Sequence, residues 1–400
     1  MKLELANNVY YVGIIDWDLR NFHGHSTHRG STYNSYLVID DKIALIDNVK
    51  APFTNQFIKN IKEVIGDLSK IDYLICNHLE GDHTGSLPTL VKLCPNAQIV
   101  TSEKGKAGFL RMYKEDWDIK AVKEGDTINL GTRTLTFVPV PMIHWPDSMM
   151  TYMTPDNILF SNDAFGQHYA SSKRLDSENP IHEIMEEAAK YYANIVMHVS
   201  LLIKKTLQKV TESLKLKIDM ICPSHGVVWK DHIQDILAAY TKWANRETKE
   251  KILIIYDTMW HSTEKMAFAL AEGIQEEGVE VKIYNLTLTD NSDIMTEVLD
   301  ARGLLIGSPT INNGMFPTVG GFLTYLKGLK PPAKYACAFG SYGWNSKNTM
   351  KQINANLKEA MIPEILEPIT FNFTPDPEEL DKCKEFGKVF AKKIKEGGKI

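Results

Sequence analysis

The sequence predicts an α/β protein in two parts, the second of them a doubly wound parallel sheet. Three observations carry this. The chain has 400 residues, more than one core usually serves, and 44% hydrophobic content is ample to fill two. From Lys251 onward, short β-branched runs alternate with amphipathic helical stretches. Between the parts, Asn245-Arg246-Glu247-Thr248-Lys249-Glu250-Lys251 is a charged run with no apolar face. It divides the chain into domains 1–248 and 251–400.

The first part opens with strands. Tyr36-Leu37-Val38-Ile39 and Ile43-Ala44-Leu45-Ile46 flank the short hairpin connection Asp40-Asp41-Lys42. Helical and strand-like segments then alternate as far as His225. In the second part, strands are expected at 251–256, 279–284, 303–307, 335–339 and 369–373. Between the first two, Met266, Leu270 and Ile274 recur at i, i+4 and i+8, and Gly278 is placed to stop that helix. The last helix should begin with Asp376 as N-cap, Pro377 at the first helical position and Glu379 reaching back as a capping-box partner.

The most informative segment is His78-Leu79-Glu80-Gly81-Asp82-His83, directly after the apolar run Tyr73-Leu74-Ile75-Cys76. Imidazoles and carboxylates this dense at a strand end pack badly unless a cation holds them. The bland reading is a solvated polar loop. Three further candidates follow strand-like runs in the same way: His144 after 134–140, Asp163 after 158–160, and His225 after 218–222. Each alone would be an ordinary loop residue. In layered α/β folds, however, loops past the carboxyl ends of strands gather to build a site.

Three loops of the second part also follow strand ends. The first holds Thr258, Met259, Trp260, His261, Ser262 and Thr263 and leads into a helix, so hydroxyls and backbone N–H groups form a phosphate cradle. It lacks the Gly-x-Gly-x-x-Gly of a dinucleotide site and the Gly-Lys-Ser/Thr of a P-loop, which favours a mononucleotide. The second holds Pro309, Thr310, Ile311, Asn312 and Asn313; the third holds Ser341, Tyr342, Gly343 and Trp344. Trp260, Tyr342 and Trp344 could stack on a flat ring, while Asn312 and Asn313 could read its polar rim. Ordinary turns and a plain N-cap are the competing readings.

These motifs resemble the metallo-β-lactamase superfamily and, more closely, the flavodiiron proteins. The hydrolases of the superfamily usually carry His-x-His-x-Asp-His, whereas Glu80 stands at the second ligand position here. A carboxylate is a harder, more anionic donor and suits redox-active iron better than zinc. The resemblance implies an αββα sandwich followed by a flavodoxin-like domain. It implies one iron on His78, Glu80 and His144, a second on Asp82, His83 and His225, and Asp163 bridging them; His78 does not coordinate in some members. It also implies FMN in the three loops and reduction of O₂ to water, NO to N₂O, or both. His23 resembles the family position that approaches the diatomic pocket, with a solvated loop histidine as the alternative. Tyr192, on the helical stretch 186–196, could reach that pocket with its hydroxyl, with core packing as the alternative. A head-to-tail homodimer or a tetramer is implied, with the FMN of one subunit serving the irons of the other. The rival reading is a di-zinc hydrolase carrying an accessory flavodoxin-like module, and Glu80 argues against it. A flavodoxin-like carrier with a purely structural first domain is a second rival, which seven ligand candidates disfavour.

Composition narrows the partners. A net charge of −5 argues against nucleic acid, and no apolar stretch approaches a membrane span of about twenty residues. The start, residues 1–8, lacks the apolar core of a secretory signal. Cys76, Cys94, Cys222, Cys337 and Cys383 are scattered and read as reduced thiols of a cytoplasmic protein. No Cys-x-x-Cys pair and no dinucleotide fingerprint is present, so the electron donor must be separate: rubredoxin, reduced deazaflavin F₄₂₀ or a dedicated reductase.

Overall fold

In the computed structural model, which describes residues 3–331 and 334–397, successive residues of the central strands of the first N-terminal sheet face two different cores. (Met1 and Ile400, the outer limits expected for the two domains, lie outside the described residues.) Val38, Ile46, Ile75 and Val100 point into one core, and their neighbours Leu37, Leu45, Leu74 and Ile99 into another. This is the period-2 geometry of a strand buried on both faces. The sheet runs in the order Leu3–Ala6, Val9–Tyr11, Tyr36–Ile39, Ile43–Ile46, Ile71–Ile75, Gln98–Ser102, Ile119–Val122.

A second sheet has the order Thr127–Asn129, Thr134–Pro139, Met149–Thr154, Ile158–Asn162, Met220–Pro223. Its Leu135, Phe137, Met153 and Phe160 pack in the same core as Val38 and Ile75, so the two sheets form a sandwich. The outer face of the first sheet is covered by Phe57 and Ile61 of helix Thr54–Ile65, Leu87 and Leu90 of Leu87–Leu93, and Phe109 of Glu103–Tyr113. Past the second sheet's strand Ile158–Asn162, Phe165 packs its ring 4.5 Å from that of Tyr240 in helix Ile233–Ala244. The mixed α/β sandwich expected for this part is present.

The chain forms two compact units. The first comprises residues up to His23, Thr27–Tyr192 and Leu201–Thr241; the second comprises Gly24–Ser26, Ala193–Ser200 and the chain from Lys242. In the second, five strands pair in parallel in the order Glu280–Asn285, Lys249–Tyr256, Ala301–Gly307, Tyr335–Tyr342, Ile369–Asn372. That is the 2-1-3-4-5 order of the flavodoxin-like doubly wound fold. Met266, Leu270 and Ile274 are all buried in helix Ser262–Glu276, and Gly278 follows with φ of 70°. The last helix, Pro377–Lys395, opens on the expected capping box: Glu379 N–H donates to Asp376 Oδ1 at 2.9 Å and Asp376 N–H donates to Glu379 Oε2 at 3.0 Å. One expectation is corrected. The charged run does not stay a connector through Lys251, because the first strand starts at Lys249 and Lys251 is buried, its ammonium 3.0 Å from Glu297 and also paired with Asp300.

Candidate metal centre and flavin pocket

The seven metal candidates converge past the strand ends of the first unit. His78 and Glu80 lie in the loop after Ile71–Ile75, Asp82 and His83 in the short helix Gly81–Thr84, and Asp163 and His225 directly beyond Ile158–Asn162 and Met220–Pro223. Backbone bonds set this loop: Asn48 N–H donates to His83 O at 3.0 Å, and Asp47 N–H to Ile75 O at 2.8 Å. Asp47 itself is a support, since its Oδ1 accepts the Asn77 N–H at 2.8 Å just ahead of the ligands.

Asp163 divides the set. Its Oδ2 lies 3.2 Å from His144 Nε2 and 3.8 Å from His78 Nε2, and Glu80 Oε2 is 3.6 and 3.3 Å from those same nitrogens. Its Oδ1 lies 3.1 Å from His83 Nε2 and 3.4 Å from His225 Nε2, which in turn stand 3.5 and 3.2 Å from Asp82. Two trios thus share one carboxylate: His78, Glu80 and His144 on one oxygen, Asp82, His83 and His225 on the other. Both Asp82 oxygens and His83 Nδ1 are buried with no hydrogen-bond partner, the His225 approach being in range but off the bonding direction.

The charges respond to one another. Burial pushes Asp163 up, but the His83 charge and hydrogen bonds from His144, His225 and His83 hold it well below the usual carboxylate range. Burial opposes a proton on His78 and on His225, yet the facing carboxylates (Asp147, Glu80 and Asp163 for His78; Asp163 and Asp82 for His225) lift each to about 10. Protons here do what a cation would do.

Two contacts were not legible in the sequence. Asp147 Oδ2 accepts from Leu79 N–H at 2.8 Å and lies 2.9 Å from His78 Nδ1, so it aims Nε2 inward. The hydroxyl that reaches Asp163 belongs to Tyr191, donating to Oδ1 at 3.0 Å. Tyr192, its neighbour on the helix and so pointing about 100° away, is buried with its ring edge-on to Tyr240 at 5.1 Å, as the core-packing alternative has it. His168 is buried with its ring 5.2 Å from that of His225. His23 places Nε2 3.0 Å from Glu80 Oε1, with 63% of its side chain exposed.

In the second unit a cavity of about 290 Å³ lies at the strand ends. Met259, Trp260, Ser262, Pro309, Thr310, Ser341, Tyr342, Gly343 and Trp344 line it, joined by Phe373 and Thr374. Those two were missed, though they sit past a strand end as the others do. Thr258, His261, Thr263, Ile311, Asn312 and Asn313 are not in the lining. Thr263 is buried beside it, its hydroxyl 3.1 Å from that of Ser341 in the lining. His261 turns to Glu264 at 2.7 Å, and Asn312 and Asn313 adopt φ of 47° and 60° in an Ile311–Gly314 turn. Trp260 and Trp344, 80% and 61% exposed, flank the mouth.

Residues 32–226 match the model of the ODP family beta lactamase, and residues 254–387 that of flavodoxin. A nitric oxide reductase of Moorella thermoacetica is 45% identical over 98% of this chain and 98% of its own. The rubredoxin oxygen:oxidoreductase of Desulfovibrio gigas superposes with a TM-score of 0.96 at 38% identity, over 99% of each chain. The flavodiiron protein of Giardia intestinalis does so at 0.94 and 35% identity, over 99% of this chain and 97% of that one. The chain belongs to the flavodiiron proteins.

A flavodiiron protein carries two irons and FMN, and the residues present fit both. The partnerless Asp82 oxygens and the converging Nε2 atoms form an all-imidazole and carboxylate donor set, suited to iron. At the flavin loops, Thr258 Oγ1 is buried without a partner beside the N-terminus of helix Ser262–Glu276, as a phosphate cradle requires. Among the described residues of this flavodiiron protein, no helix is long and apolar enough to cross a membrane.

Proposed function

We propose that the chain is an oxidoreductase that reduces O₂ to water, NO to N₂O, or both. The observation that carries this is the division of Asp163 between two trios, a two-metal arrangement in which Glu80 occupies a ligand position. When bound, the irons and FMN would supply the redox chemistry. His78, Glu80 and His144 would hold one iron, Asp82, His83 and His225 the second, with one Asp163 oxygen for each. Asp147 fixes the orientation of His78, and Tyr191 keeps its proton, burial and then the Asp163 charge holding its pKa well above the ordinary value. His23, beside Glu80 and open to solvent, would border the diatomic pocket. Ser262, Thr263 and Thr258 would hold the flavin phosphate, and Trp260 and Trp344 would border the ring.

The domains would be 1–248 for the metals and, from the strand that begins at Lys249, the rest of the chain for FMN. The donor would be rubredoxin, reduced F₄₂₀ or a dedicated reductase, and the working form a cytoplasmic head-to-tail homodimer or tetramer. Reconstitution tests the reading: metal-depleted protein loaded with Fe(II) should consume O₂ or NO with reduced flavin, and Zn(II) should not restore turnover. Hydrolysis by the zinc form, with no oxidase or reductase activity in the iron form, would overturn it.

A further inference from the structure

Arg174 is fully buried, and among the described residues no carboxylate lies within ion-pair distance of it. The two Nη atoms of its guanidinium are held by neutral groups instead. Nη1 donates to Ser171 O at 3.0 Å; Nη2 donates to Asn34 Oδ1 at 3.3 Å and to Gly226 O. The guanidinium carbon stands 4.8 Å from the centre of the Tyr11 ring, and Nε has no hydrogen-bond partner. Burying an unpaired cation is costly, so stability alone does not account for it.

What the cation grips is the peptide after His225. Gly226 has φ of 81°, and a Cβ there would fall 2.5 Å from Gln167 O, so no other residue takes this turn without displacement. Its carbonyl also accepts Asn34 Nδ2 at 2.9 Å, and its N–H donates to Thr32 Oγ1 at 2.7 Å. The His225 ring is anchored on the same residue, Nδ1 lying 2.6 Å from Thr32 O. Arg174 closes the cage from the other side, since its own carbonyl accepts Val228 N–H at 2.8 Å. A planar fork can bridge Ser171 O and Gly226 O at fixed angles; an ammonium on a flexible stem cannot.

We propose that Arg174 is a positioning residue for the ligand His225, locking the Gly226 turn so that Nε2 stays aimed at Asp82 and Asp163. This rests on the two-metal reading above. It assigns Arg174 to one trio only, because nothing in its contacts reaches His78, Glu80 or His144.

The test is a Co(II) titration of metal-free full-length protein, followed by the visible bands of each binding step. Wild type should take up two ions. Arg174→Met should weaken one step by ~10–100-fold, the usual cost of losing a group that orients a ligand, and leave the other unchanged. Arg174→Lys should fall between, and if Arg174→Met does not fold, Arg174→Lys decides by the same criterion. Two unchanged steps in a folded variant, or equal weakening of both, would overturn the proposal. A wild type that binds no second ion would remove the two-metal reading and this proposal with it; two ions bound normally by wild type and variants alike would remove this proposal alone.

Discussion

Tyr191 donates its hydroxyl proton to Asp163 Oδ1 at 3.0 Å, the same oxygen that His83 approaches at 3.1 Å. The bond therefore bears on how Asp163 divides its two oxygens. A hydrogen bond to a charged acceptor contributes roughly 1.5–3 kcal/mol, so Tyr191→Phe should weaken metal about tenfold or more. The ring keeps its place, since a Cβ at Gly166 would already stand 3.3 Å from Tyr191 Cζ and the glycine leaves it room. Chelator competition measures the loss. Unchanged iron retention in the variant would mean that Asp163 is set by its histidines alone.

Asp163→Asn should release both metals rather than one. The amide presents a single carbonyl oxygen, and its NH₂ group turns a donor toward one trio. Iron content per chain should fall for both ions together, against a variant of His225 in which one ion is retained. Full iron and activity in Asp163→Asn would remove the bridging assignment.

The clustering of the metal candidates was largely legible because its densest part is local: His78, Glu80, Asp82 and His83 are separated by one residue or none, and the others follow strand ends. Asp147 was not, because it meets His78 across 69 residues of sequence. Tyr191 and Tyr192 could not be told apart by helical period, since helix Ile181–Tyr191 gives way at that point to a wider π-helical turn, Tyr192–Val196. The strand start at Lys249 was hidden for an electrostatic reason. Lys249 and Lys251 belong to a charged run in the sequence, and the acids that neutralise Lys251, Glu297 and Asp300, lie 46 and 49 residues further on. Asn312 and Asn313 carried both a turn and a ligand reading in the sequence, and they form the Ile311–Gly314 turn.

The flavin loops give a third test. Replacing Ser262 and Thr263 together with Ala removes two hydroxyls at a helix N-terminus, each worth on the order of 1–3 kcal/mol to a phosphate. FMN affinity should fall, while riboflavin, which lacks the phosphate, should be little affected. Thr258→Val should act in the same direction, because its Oγ1 is buried and partnerless until a ligand is present. Equal losses for FMN and riboflavin would show a loop defect rather than a lost phosphate contact.

Metal binding should compete with protons, and the sign follows from the histidines. His78 and His225 are lifted from 6.5 to about 10 in the metal-free chain, and His83 moves the same way. A folded pKa above the unfolded value stabilises fully below pH 6.5, and that contribution is lost as pH rises through 10. The depressed Asp82 and Asp163 act in a lower window, losing their contribution only as pH falls below the ordinary carboxylate range. Metal-free protein should therefore lose stability between about pH 6.5 and 10 relative to the loaded form, in which cations replace the protons. Taking the difference between the two forms matters, because buried Lys334, whose pKa burial pushes well below its usual value, contributes with the opposite sign to both and cancels. Loading at pH 8 should correspondingly release about two protons, one from each of His78 and His225, detectable with an indicator dye in weak buffer. Denaturant midpoints at pH 6, 8 and 10 decide the matter: a metal-free form that keeps pace with the loaded one across this range, with no proton release, would show that these imidazoles are neutral before metal arrives.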